Sequence, residues 1–258
     1  DRSPSRGLGD VYKRQGKWTV TYLKTLEEKN APEDQLEEIC KKYWNNSGVR
    51  RYYIDRYFEK KEYDRVLQVL DESIELDKAY RGQVLEYIQK KKEIYRLQGN
   101  KSAYIEQLWK LVLEQSAGDL DIYKELKAQY SEKEWLIKRE ELFKKLPPNA
   151  HIDRLYKEEK LYDRLLAYVL KSSGLYAVQS YENVLKKEYP KQILSKYQGE
   201  VNKMASCTGN RKHYADLVAL LRRMKRIKGG SEIVETIVEE WKIKYRNRPA
   251  MMDELSKL

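Results

Sequence analysis

Two histidines, two cysteines and a cluster of arginines and lysines near the C-terminus are what this 258-residue chain offers to chemistry. Cys40 and Cys207 stand far apart, and neither has a second cysteine or a histidine at zinc-ligand spacing. They form no disulfide framework, so a reducing, cytoplasmic setting is the expectation. His151 follows a double proline at a helix start, and His213 precedes Tyr214 in the first turn of another helix. His213 has two readings, a phosphate or partner contact and a local packing or capping role; its position favours the second. No His-Glu-x-x-His pair, glycine-rich phosphate loop or serine elbow occurs. Asp64 and Asp163 each precede an arginine, which fits surface ion pairs rather than paired catalytic carboxylates. The expectation is a chain with no catalytic residues, no cofactor and no metal of its own.

Binding is the remaining chemistry. Lys and Arg number 52 against 41 Asp and Glu, a net charge of +11. Residues 210–248 hold eleven of the cations and five of the acids. At about 100° per residue, Arg211, Lys212, Arg222, Arg223 and Arg226 fall on one side of a helix. Its other side carries Tyr214, Leu217, Leu220, Leu221 and Met224. These five cations are the candidate contacts to DNA, RNA or a protein partner, because a basic face attracts phosphates and acidic surfaces. Glutamates on the following helix dilute that charge, and a solvated helix face is the competing reading. The 22 tyrosines suit base stacking in principle. Most sit where helical hairpins pack, so a core role is favoured.

The elements that would position these residues are helices throughout. Charged residues make 36% of the chain and the mean hydropathy is −0.87, a polarity suited to an extended array with much surface per residue. No apolar run reaches the length of a membrane span, and no signal-peptide core is present at the N-terminus. Helices are predicted over 18–29, from the Asn30–Glu33 capping box toward Trp44, over 49–60 and 62–76, and over 83–97 and 102–114. A short helix follows Gly118. Ser131 and Glu134 then form a second capping box, with Tyr130 and Trp135 placed as a hydrophobic staple. Pro147-Pro148 is the firmest boundary and divides helical repeats 16–148 from helical repeats 149–258. A terminal block, 210–258, has Asn210 as N-cap, Gly229 as a left-handed terminator, Ser231 as the next N-cap and Arg248-Pro249 opening a last helix.

One phrase recurs. Tyr57-Phe-Glu-Lys-Lys-Glu-Tyr63-Asp-Arg-Val-Leu67 matches Tyr156-Lys-Glu-Glu-Lys-Leu-Tyr162-Asp-Arg-Leu-Leu166 at an offset of 99 residues. A turn, an aromatic at the next helix start and an aliphatic residue a turn later describe a hairpin that cannot bury its face alone. The period is too irregular for a regular 34-residue tetratricopeptide array. The prediction is an all-α fold, an α-solenoid of degenerate helix-turn-helix pairs of tetratricopeptide or HEAT type.

The terminal block also carries a family resemblance. Asn210-Arg-Lys-His-Tyr214, Arg223-Met-Lys225 with Gly229-Gly230, and Arg248-Pro-Ala-Met-Met-Asp-Glu-Leu255 resemble the ending of bacterial SWIM zinc finger family proteins. The phrases at Tyr57–Leu76 and Tyr156–Leu166 are similar to their central helical region. The resemblance implies an N-terminal Cys-x-Cys…Cys-x-His zinc finger, thought to bind DNA or proteins. This chain has no such motif, so zinc is expected only in a missing N-terminal finger. Residues 1–15 resemble a translated sequencing adapter of the kind found on metagenomic reading frames, a non-native or disordered segment that would replace that finger. The resemblance implies a non-enzymatic helical scaffold that mediates protein–protein interaction. Auxiliary, non-specific nucleic-acid binding through the basic face of 210–248 is the alternative.

Overall fold

Every described element in the computed structural model is helical, and the packing joins helices one or two places apart in the chain. The structure describes the backbone from residue 4 and side chains from residue 16. The adapter-like reading of residues 1–15 falls outside the described side chains. Among the described residues there is no strand. The chain divides into two compact units, Asp1–Ile152 and Asp153–Leu258.

In the N-terminal unit, α1 spans Pro4–Glu28, α2 Glu33–Lys42, α3 Ser47–Glu59 and α4 Tyr63–Leu76. Then come α5 Arg81–Leu97, α6 Lys101–Lys110, α7 Leu120–Lys127 and α8 Glu132–Lys145. α1 thus begins upstream of the predicted start near Trp18, with Pro4 at a position where a missing N–H costs nothing. Leu23, Leu36, Val49, Tyr57, Val66, Leu70 and Ile94 form a continuous core across α1 to α5. Leu111–Gln115 winds as a π-helix where a plain α-helix was predicted. There the Ser116 amide reaches the Leu111 carbonyl at 2.8 Å, and Arg81 donates to the Glu114 carbonyl at 3.2 Å. Wider turns of this kind leave carbonyls poorly paired, and a guanidinium satisfies one of them.

The second unit contains most of α9, Ile152–Glu158, then α10 Tyr162–Lys171, α11 Tyr176–Leu185 and α12 Pro190–Ser206. It ends with α13 Arg211–Lys225, α14 Gly230–Lys244 and α15 Pro249–Leu255. One apolar cluster runs through it, from Leu165 and Val169 to Trp241, Met251 and Leu255. Helix packing is solenoid-like in each unit, joining helices one or two places apart in the chain.

The repeated phrase is a repeated turn. Lys61 and Lys160 are both left-handed, at φ 60° and 55°. Across the first, the Glu62 amide donates to the Tyr57 carbonyl at 3.0 Å; across the second, Leu161 donates to Tyr156 at 2.9 Å. This is the Schellman closure of a helix C-terminus, a place that favours glycine. A lysine there carries a Cβ penalty on the order of 1–2 kcal/mol. Lys61→Gly and Lys160→Gly are each expected to stabilise their unit by roughly 0.5 kcal/mol after glycine's greater unfolded-chain entropy is subtracted. Denaturant midpoints check this; a lower midpoint for both variants would refute the penalty.

Two predicted caps are corrected. Asn30 does not cap α2: at φ 55° it closes α1 instead, its amide and that of Ala31 donating to Glu27 and Leu26. Ser231 does not cap α14, because left-handed Gly229 occupies the N-cap position and offers no side chain. The Ser131–Glu134 capping box is present in full, with Tyr130 stacked on Trp135 at 6.0 Å. Asp64 and Arg65 do not pair with each other. Asp64 accepts from Gln98 at 3.3 Å, while Arg65 lies 3.9 Å over the Tyr57 ring and pairs with Glu37. Neighbours on a helix point about 100° apart, so each reaches a different helix.

Candidate functional site

The five candidate cations lie on or just after α13, whose inner face buries Tyr214, Leu217, Val218, Leu221 and Met224. Asn210 caps the helix as predicted, its side chain accepting from the His213 amide at 3.0 Å. His213 places its Nε2 3.1 Å from the Met204 carbonyl, a packing role.

The structure does not leave the basic face open. Arg211 reaches α15, donating to Glu254 at 3.0 Å and pairing with Asp253. Arg222 donates to the Lys257 carbonyl at 2.5 Å, just past the end of α15. Arg223 turns toward α11, donating to the Glu182 carboxylate and, at 3.1 Å, to the Gln179 carbonyl. A helical wheel counts faces but not neighbours: α15 and α11 both pack where the wheel showed only solvent. Lys212 and Arg226 are exposed and, among the described residues, their side chains make no hydrogen bond or ion pair.

Glu182 is the centre of a buried polar network. It is 4% exposed, and Tyr197 on α12 also donates to it at 2.7 Å. Burial opposes its ionisation, but the hydrogen bonds from Tyr197 and Arg223 outweigh burial and hold its pKa below the ordinary value. Lys186 approaches the other oxygen at 3.4 Å.

Sequence reasoning also missed Arg248. Its guanidinium donates to the carbonyls of Ala205 at 2.8 Å, Cys207 at 3.2 Å and Ser206 at 3.4 Å, and rests on the Tyr245 ring. These are the orphan carbonyls at the end of α12. The arginine before Pro249 is therefore a helix cap supplied from another element.

No family model, curated protein or solved structure matches this chain.

In the N-terminal unit a groove of about 530 Å³ lies between α1 and α2. Trp18 and Tyr22 form one wall, and Ile39, Lys42 and Tyr43 part of the other. Trp18 is 75% exposed and Tyr22 54%, one helical turn apart on α1. The i,i+4 spacing of two aromatics on a charged helix is the available signal, but from sequence Trp18 reads only as a helix start and the tyrosines as a group are favoured as core. Elsewhere the described tyrosines mostly behave as expected: Tyr57, Tyr123 and Tyr197 are fully buried.

Cys40 is buried, and burial together with the nearby Glu37 carboxylate pushes its thiol up to about 11. Among the described residues no group of three or more His, Cys, Asp or Glu side chains is placed to hold a metal ion. No helix there is long and apolar enough to cross a membrane.

Proposed function

We propose that this chain is a non-enzymatic helical scaffold that binds protein, of the kind that accompanies a SWIM zinc finger. The observation that carries the reading is the α1–α2 groove, where Trp18 and Tyr22 present their rings to solvent beside Ile39 and Tyr43. Large aromatics are the residues that most often anchor protein interfaces, and they do so from grooves that exclude water. Stacked helices supply a rigid frame for such a groove, so little conformational entropy is lost when a partner segment docks.

Trp18→Ser/Tyr22→Ser tests it, because both side chains are exposed and their loss leaves the core intact. Affinity capture with the wild type is expected to recover specific proteins that the double variant recovers at least roughly tenfold less well, the loss of one or two anchor residues being enough for that ratio. Equal recovery by both chains, at matched thermal stability, would sink the groove as the binding surface.

A further inference from the structure

We propose that one end of the C-terminal unit, where α11 turns into α12 and α13 turns into α14, binds the phosphodiester backbone of nucleic acid without sequence preference. The inference stands on that unit alone and does not rest on the α1–α2 groove.

Chain direction brings the two turns together. Arg223, near the end of α13, bonds to Glu182 and Gln179 on the later part of α11, so these two helices run the same way. Arg248, just past α14, caps the end of α12, so those two run the opposite way together. The ends of α11 and α13 and the beginnings of α12 and α14 therefore share one side. Contact at that end is direct: a Cβ on Gly230 would collide with the Met224 carbonyl and lie 3.3 Å from Leu194 of α12.

Charge gathers there. The C-terminal unit holds 22 Lys and Arg against 14 Asp and Glu, a net of +8 out of the chain's +11. Lys186, Lys187 and Lys191 belong to the first turn, and Lys225, Arg226 and Lys228 to the second. The acids beside them are Asp163, which accepts from Tyr189 of the first turn, Glu188, Glu232 and Glu235; Glu182 is buried and already held by Arg223 and Tyr197. Lys187, Lys191, Arg226 and Lys228 are exposed. The N-cap of α14 is a glycine without a capping side chain, so the positive end of that helix dipole faces the same cluster.

The character of the surface selects the partner. None of the large exposed apolar side chains lies at this end; Leu170, Tyr176 and Ile243 belong to the opposite one. A peptide interface needs buried anchors and a membrane surface needs apolar insertion, whereas a phosphate backbone needs only cations. Of the four exposed cations, Lys187, Arg226 and Lys228 lie on the turns and Lys191 in the first turn of α12, charges suited to a repeated negative charge. Without exposed aromatics for stacking, they position a strand and read no base.

The test uses the full chain and fluorescence anisotropy with a labelled DNA duplex of about 20 base pairs, with poly-glutamate and anionic phospholipid vesicles as rival probes. With about six phosphates neutralised, log K is expected to fall with log salt at a slope of roughly −5. Replacing Lys187, Lys191, Arg226 and Lys228 by glutamine is expected to reduce that slope to roughly −2. The same change at Lys171, Lys203, Lys212 and Arg246, at the other end, is expected to lower it by less than about one. Thermal unfolding of both variants checks that these exposed changes leave the fold intact. Equal loss from the two sets, no duplex binding at low salt, or tighter binding to poly-glutamate or vesicles than to duplex would each overturn the proposal.

Discussion

Asp77→Ala is expected to destabilise the N-terminal unit by about 3–5 kcal/mol, because it strands a buried guanidinium. Arg50 is 0% exposed, and every nitrogen of its guanidinium has a partner. Nε donates to Ser73 at 3.1 Å, one terminal nitrogen to the Trp44 carbonyl at 2.6 Å, and the other to Asp77 at 2.6 Å. Tyr87 on α5 donates to the same Asp77 oxygen at 2.7 Å, so one carboxylate just past α4 joins α3 to α5. Removing it leaves a positive charge on a fully buried side chain, and the desolvation already spent on Arg50 is no longer offset. Denaturant unfolding followed by tryptophan fluorescence reads the loss. The double change Arg50→Met/Asp77→Leu is expected to recover part of it, since an apolar pair strands no charge but leaves Ser73, the Trp44 carbonyl and the Tyr87 hydroxyl without these partners. A loss below about 1 kcal/mol for Asp77→Ala would mean that water reaches the pair.

Arg223→Glu is expected to cost the C-terminal unit a comparable 3–5 kcal/mol or so, by placing a second carboxylate against buried Glu182. Arg226→Glu, three residues on and exposed, is expected to stay within about 0.5 kcal/mol of the wild type. The contrast separates a residue that holds the fold from one free to meet a partner, although the sequence placed them on one face. Reversing Arg222, Arg223 and Arg226 together would therefore unfold the unit before it reported on binding.

Acid unfolding follows from the same network. The folded pKa of Glu182 lies below its ordinary 4.5. Its carboxylate therefore contributes stability that is fully present above about pH 4.5 and is lost as pH falls through the lower folded value. Glu182→Gln is expected to lower the unfolding midpoint at neutral pH and to flatten its fall between about pH 5 and pH 3. A wild type and a variant with parallel pH profiles would show that Glu182 is not the acid-sensitive group.

Much of the architecture was legible in the chain itself. Spacing of Tyr63, Val66 and Leu70, and of their counterparts after the double proline, reports helices because apolar side chains must recur near every 3.6 residues to share a face. Asn210, Ser131 and Gly229 mark helix ends through side-chain oxygens or permitted φ, which are local properties. Lys61 and Lys160 escaped notice because nothing local favours lysine in a left-handed turn; the closing hydrogen bonds impose it. Likewise, Asn30 and Glu33 have the letters of a capping box, but the tight closure of α1 claims Asn30 first.

What an amino-acid string determines here is where rods begin and end, and that their apolar stripes must find one another. It cannot determine which polar residues meet, because those meetings join residues many positions apart: Arg50 with Asp77, Arg223 with Glu182, Arg248 with the end of α12. Folding decided that three arginines of the presumed binding face are occupied within the protein, and that lysines from another turn stand at the same end as Arg226. The reason is geometric. Periodicity is a property of one helix, whereas the environment of a charge belongs to whichever helices pack around it.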